Sequence, residues 1–119
     1  MRWLDQQTQE SLYLSSTSQA ELLVGVARPP AGKRKRGLES ALDQILANLF
    51  GDRILPFDSA AARSFASLVS LAESRGSPIG FADATIAAIA QSRAMTIATR
   101  DAAVFRGAGL RVIDPWLEQ

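Results

Sequence analysis

Residues 81–101 read FADATIAAIAQSRAMTIATRD, and this stretch decides the fold class. From Phe81 to about Arg93, alanine and isoleucine leave a helix apolar over much of its surface. A helix of that kind belongs inside a protein rather than on it. Met95-Thr96-Ile97-Ala98-Thr99 then reads as a strand, rich in β-compatible residues. An acid accompanies each element. Asp83 falls in the first turn of the helix, and Asp101 two residues past the strand.

The same alternation continues on both sides. After Asp101 come a short helix, Ala102 to Phe105, and a last strand, Leu110-Arg111-Val112-Ile113. Before Phe81, Gly76 and Pro78 punctuate a helix that begins at Asp58 or Ser59 and carries Ala62, Phe65, Ala66, Leu68, Val69 and Ala72. Arg53-Ile54-Leu55-Pro56-Phe57 is a strand, at an edge because Pro56 cannot donate to a ladder. Leu38, Ala41, Leu42, Ile45, Leu46, Leu49 and Phe50 follow helical spacing, with Gly51 placed to close that helix. The basic run Lys33-Arg34-Lys35-Arg36 is its loop or lead-in. Earlier still, Leu12–Thr17 reads as a strand, and Gln19–Val26 as a helix stopped near Pro29-Pro30. Strands alternating with helices imply an α/β fold with a mostly parallel sheet in one domain, residues 1–119.

Composition narrows the chemistry. The 119 residues include no cysteine and no histidine, so thiolate sites, histidine bases and Ser-His-Asp triads are excluded. Catalysis would rest on carboxylates, hydroxyls, lysines, arginines or a metal held by oxygen, and oxygen ligands favour hard cations. Net charge is only +1, so contact with nucleic acid would come from a local patch. No apolar run approaches the ~18 residues of a membrane span, and the expected location is cytoplasmic, with no membrane partner.

Glu21 and Asp83, each in the first turn of a helix, and Asp101, two residues past a strand, occupy comparable places where one edge of a parallel sheet could gather them. Clustered carboxylates repel, and a divalent cation is their natural counter-charge. Each also has a purely local reading. Ser18-Gln19-Ala20-Glu21 matches a capping box, and the pattern alone favours that. Asp83 suits a helix dipole, and Asp101 could be an N-cap. For Asp58, in the same strand-then-helix context, the cap is the better reading. Lys33, Arg34, Lys35 and Arg36 are either an RNA-phosphate contact or a solvated charge run.

These stretches resemble the PIN domains of VapC/FitB-like toxins. The resemblance runs in order through Leu14–Val26, Ile54–Asp58, Ile79–Ala90, Met95–Phe105 and Val112–Trp116. It implies a PIN-like three-layer fold and Mg²⁺- or Mn²⁺-dependent hydrolysis of RNA phosphodiesters. By motif position, Glu21, Asp83 and Asp101 match three of the family's four acidic residues, as catalytic and metal-ligating groups. Many relatives carry asparagine at the position of Asp101 and aspartate where this chain has Val104. Thr99 matches a supporting hydroxyl that orients neighbouring ligands.

The departure is at the start. The family opens on an apolar strand ending in Asp-Thr-Asn, whose aspartate is a metal ligand, and this chain has no such motif. By the same resemblance, Asp5 matches the family's helix after that strand and not the missing aspartate. The resemblance therefore implies an N-terminally truncated domain whose first, central strand is missing. It also implies RNA as substrate and a cognate antitoxin. Separately, residues 38–75 supply two amphipathic helices, more apolar surface than so small a chain is expected to bury alone, which predicts a homodimer or a complex with the antitoxin. The alternative is a catalytically impaired PIN remnant serving as an antitoxin-binding or dimerisation module.

Overall fold

The computed structural model describes residues 13–98 together with Val112–Ile113. The chain divides into two compact units, Thr8–Leu55 and Met1–Gln7 with Pro56–Gln119.

In the Thr8–Leu55 unit, β1 (Leu14–Ser15) runs directly into α1 (Ser16–Ala27). The expected Leu12–Thr17 strand is shorter because Ser15 caps the helix. Its side chain accepts a hydrogen bond from the Ser18 amide at 3.0 Å, which starts α1 three residues before Gln19. Pro29 and Pro30 follow the helix end, as the ring geometry of proline requires.

The second helix, α2 (Lys33–Ile45), begins earlier than its apolar periodicity, so the basic run forms its first turn and not a loop. It ends in a π-helical turn, Leu46–Phe50. Gly51, at φ 56°, closes that turn by donating to the Leu46 carbonyl at 2.9 Å. The chain then enters β2 (Ile54–Leu55), which pairs in parallel with β1 in the register Leu14↔Ile54 and Ser15↔Leu55. The strand ends before Pro56, which cannot supply an N–H.

In the other unit, α3 (Ser59–Ser74) packs on α4 (Phe81–Ser92). Most of the residues that meet the interior are small. Ala61, Leu68 and Ala72 of α3 are buried, as are Ala84, Thr85, Ala87, Ala88 and Ile89 of α4. Leu68, Ala84, Ala87 and Ile97 form a core cluster with Phe65, Val69 and Ile86 against it. Phe65 also stacks edge-on with Phe57 and Phe81, at centroid distances of 5.8 and 5.5 Å. Behind α4, β3 (Ile97–Ala98) pairs in parallel with β4 (Val112–Ile113).

The α/β class and the parallel pairing agree with the sequence. Among the described residues the strands form two two-stranded sheets, β1 with β2 and β3 with β4. The expected helix at 102–105 lies outside the described residues. No described helix is long and apolar enough to cross a membrane.

Both helices of the α3–α4 pair end in Schellman motifs. After α3, Ser77 donates to Ala72 and Gly76 to Glu73; after α4, Met95 donates to Ala90 and Ala94 to Gln91. The left-handed residue is Gly76 at φ 69° in the first case and Ala94 at φ 54° in the second. An L side chain in that conformation costs roughly 1–2 kcal/mol. Replacing Gly76 by alanine should therefore destabilise the fold by about that amount, since nothing lies near the added Cβ. Ala94→Gly should stabilise it by up to ~1 kcal/mol after glycine's entropic cost. Chemical denaturation of both variants checks the opposite signs.

Candidate active site

Glu21 lies in the second turn of α1, not the first, because the helix begins at Ser16. That shift removes the capping box. Ser15 takes the capping position, Ser18 only supplies the amide and a hydroxyl contact, and Glu21 satisfies no helix-end N–H. The Glu21 side chain is exposed, with no hydrogen bond or ion pair among the described residues.

Asp83 does fall in the first turn of its helix, as expected. It is half-buried and follows Gly80, an N-cap without a side chain to offer. The positive end of the helix dipole favours its charge. No described group donates a hydrogen bond to its carboxylate.

Asp58 behaves differently, and here the cap reading holds. Its Oδ1 accepts from the Ala61 amide at 3.0 Å, and its Oδ2 meets the Arg93 guanidinium at 2.9 Å. The Ala61 hydrogen bond is the main reason its pKa lies below the ordinary carboxylate value; Arg93 adds to that, and desolvation opposes it. Arg93 stands at the C-cap of α4, so the ion pair ties that end to the start of α3. Nothing in the local pattern signals a pair 35 residues apart.

Glu21 belongs to one unit and Asp83 to the other. Asp101 and Thr99 lie outside the described residues, and no three acids cluster among the described ones. The uncommitted carboxylates nevertheless suit a hard divalent cation. Glu21 and Asp83 offer oxygen donors with no partner among the described residues, in a chain without histidine or cysteine to compete. Lys33, Arg34 and Arg36 are exposed and Lys35 is half-buried.

A family model described as PIN domain matches residues 1–110. The VapC ribonuclease Y4jK of Sinorhizobium fredii is 43% identical over 116 residues, 98% of this chain and 83% of that protein. Toxin FitB of Neisseria gonorrhoeae is 43% identical over 114 residues, 96% of this chain and 82% of that one. Among solved structures, FitAcB from Neisseria gonorrhoeae superposes with a TM-score of 0.91 at 43% identity, covering 97% of this chain and 83% of that chain. VapBC-5 from Mycobacterium tuberculosis, a member of the VapBC family of toxin-antitoxin systems, superposes at 0.69 with 32% identity, over 85% of this chain and 79% of its own. The chain belongs to the PIN-domain family.

The contrast between the acids is testable by stability. Glu21→Gln should leave the melting temperature unchanged, because no contact is lost. Asp58→Ala should lower it by a few degrees at neutral pH, and Asp58→Asn by less, since asparagine also caps. Asp58 holds its proton less readily folded than unfolded. Its carboxylate's contribution is thus complete above the ordinary carboxylate range and is lost as pH falls through the lowered folded value. The gap between wild type and Asp58→Ala should narrow over that acid window in thermal melts.

Proposed function

We propose that this chain is a metal-dependent ribonuclease of the toxin-antitoxin type, hydrolysing RNA phosphodiester bonds. Membership of the PIN family, with a VapC ribonuclease and a toxin among its relatives, carries the reading. That neither Glu21 nor Asp83 has a partner among the described residues supports the assignment of the site.

Glu21, Asp83 and Asp101 would hold Mg²⁺ or Mn²⁺ through carboxylate oxygens, and Thr99 would orient them. When bound, the cation offsets phosphate charge and lowers the pKa of water. With histidine and cysteine absent, a carboxylate oxygen is the side-chain group available to take the proton of the attacking water. Asp83 suits a fixed ligand, since the first turn of a buried helix limits its motion. Glu21, exposed on α1, is open to substrate.

The partner is a cognate antitoxin, with a second copy of the chain completing a homodimer. α1 supports this: it is rich in apolar residues yet buries none of them, and Leu22, Leu23 and Val24 are 44%, 41% and 46% exposed. Adjacent exposed apolar side chains are costly in water and mark an interaction surface.

Cleavage of single-stranded RNA should require Mg²⁺ or Mn²⁺ and stop with EDTA. Asp83→Asn should reduce the rate about 100-fold or more, the scale of losing a site's electrostatic stabilisation, while Asp58→Asn should leave it unchanged. Undiminished cleavage in EDTA, or by Asp83→Asn, would overturn the mechanism. A chain that binds an antitoxin but never cleaves RNA would be the impaired PIN remnant.

A further inference from the structure

Charge in this protein is segregated. Five of the 13 basic residues, including both lysines, lie in Arg28–Arg36, and none of the 12 acidic residues does. Eight basic and twelve acidic residues remain elsewhere, so a segment of net +5 sits on a chain that is otherwise −4. A near-neutral total conceals this.

The segment does not strengthen the fold. Lys33, Arg34, Lys35 and Arg36 form the first turn of α2, where positive charge opposes the helix dipole. Gly32 offers no side-chain cap there, unlike Ser15 at α1 and Asp58 at α3. None of the five cations forms an ion pair among the described residues, whereas Arg93 does. Arg28, Lys33, Arg34 and Arg36 are exposed. Apart from adjoining residues and the helix's own backbone, no described atom lies within 4 Å of a Cβ built on Gly32 or Gly37, so other parts of the fold do not cover the backbone on either side of the turn.

We propose that Arg28, Lys33, Arg34, Lys35 and Arg36 grip the phosphate backbone of single-stranded RNA, as a holding surface apart from the cleaving carboxylates. The inference rests on the ribonuclease reading for the identity of its polyanion. Four consecutive helical positions step by roughly 100° around the axis, so the charges fan around the helix end. A fan of point charges and guanidinium forks suits successive phosphates along a flexible strand, and binds without reading base sequence.

The test is fluorescence anisotropy of the full chain with poly(U) in EDTA, across a salt series, so that binding is read without cleavage. Wild type should bind with affinity falling steeply as salt rises. Replacing Lys33, Arg34, Lys35 and Arg36 together by glutamine should weaken binding about tenfold or more and flatten the log–log salt slope by ~0.7 per lost phosphate contact. Helical circular dichroism should persist and the melting temperature hold or rise, because a dipole-opposing cluster is gone. Lys33→Arg with Lys35→Arg should bind like wild type. An unchanged slope in the glutamine variant overturns the proposal, even if Mg²⁺-dependent cleavage is intact. Binding that depends on the patch in a chain that never cleaves RNA upholds the proposal and rejects the ribonuclease reading instead. If polyglutamate or duplex DNA binds the patch while poly(U) does not, the surface serves an acidic protein or DNA and the proposal fails.

Discussion

The chemistry near α4 depends on its packing against α3, and most of the buried side chains of the two helices are alanine. Ala61 and Ala72 of α3 and Ala84, Ala87 and Ala88 of α4 are all buried almost completely, and Leu68 of α3 clusters with Ala84 and Ala87. Side chains this small gain little from burial individually, but they let two helices approach closely and fill the space between them. A larger residue at any of these positions would force the helices apart or strain the surrounding rotamers. Leu68, Phe65 and Ile97 supply the volume that the alanines lack. The ends are controlled as closely as the middle. Asp58 and Arg93 join one pair of helix ends, and the Schellman turns at Gly76 and Ala94 carry the chain away. Asp83 is consequently carried at the first turn of a helix that cannot easily shift.

Asp58 and Asp83 show how one residue type takes opposite tasks in similar sequence settings. Each sits near the start of a helix that follows a loop or strand. Asp58 stands one position before its helix, where an aspartate can bend back to the Ala61 amide, and that bond and the Arg93 pair engage both its oxygens. Asp83 stands inside its helix, past the reach of such a bond. The helix dipole steadies its charge without occupying its oxygens. Glu21 reaches the same uncommitted state differently, because Ser15 relieves it of capping. Carboxylates left open in this way retain the lone pairs that a cation requires.

Two surfaces of the Thr8–Leu55 unit run against ordinary stability. α1 presents leucine and valine to solvent, and α2 starts with four cations at the wrong end of a dipole. Neither arrangement helps the folded chain by itself. Both become intelligible under the partners proposed above, an apolar one for α1 and an anionic one for α2. The π-helical turn after Ile45 also belongs to this unit, and it re-aims the chain towards the β2 strand that holds β1.

Much of the architecture was legible from residue patterns. The buried helix at Phe81 announced itself by composition, the α3 start by Asp58, and the turns after Phe50 and Ser74 by Gly51 and Gly76, because these signals act over a few neighbouring residues. The family was legible too, since five short stretches in order carry more information than any one of them. Elsewhere local signals competed or fell silent. The pattern pointed to Ser18 as the cap of α1 and read Ser15 as strand, whereas the backbone path of β1 puts Ser15 at the cap. α4 ends on an alanine in a left-handed conformation, so the usual glycine signal was absent. The Arg93–Asp58 pair joins residues distant in the chain, and only the packing of α3 on α4 brings them together. Sequence by itself determined the α/β class, the acids available and the kind of cation they suit. Tertiary structure decided which of the described acids are spent on the fold and which remain free, because hydrogen-bond partners are set by distance in space and not along the chain.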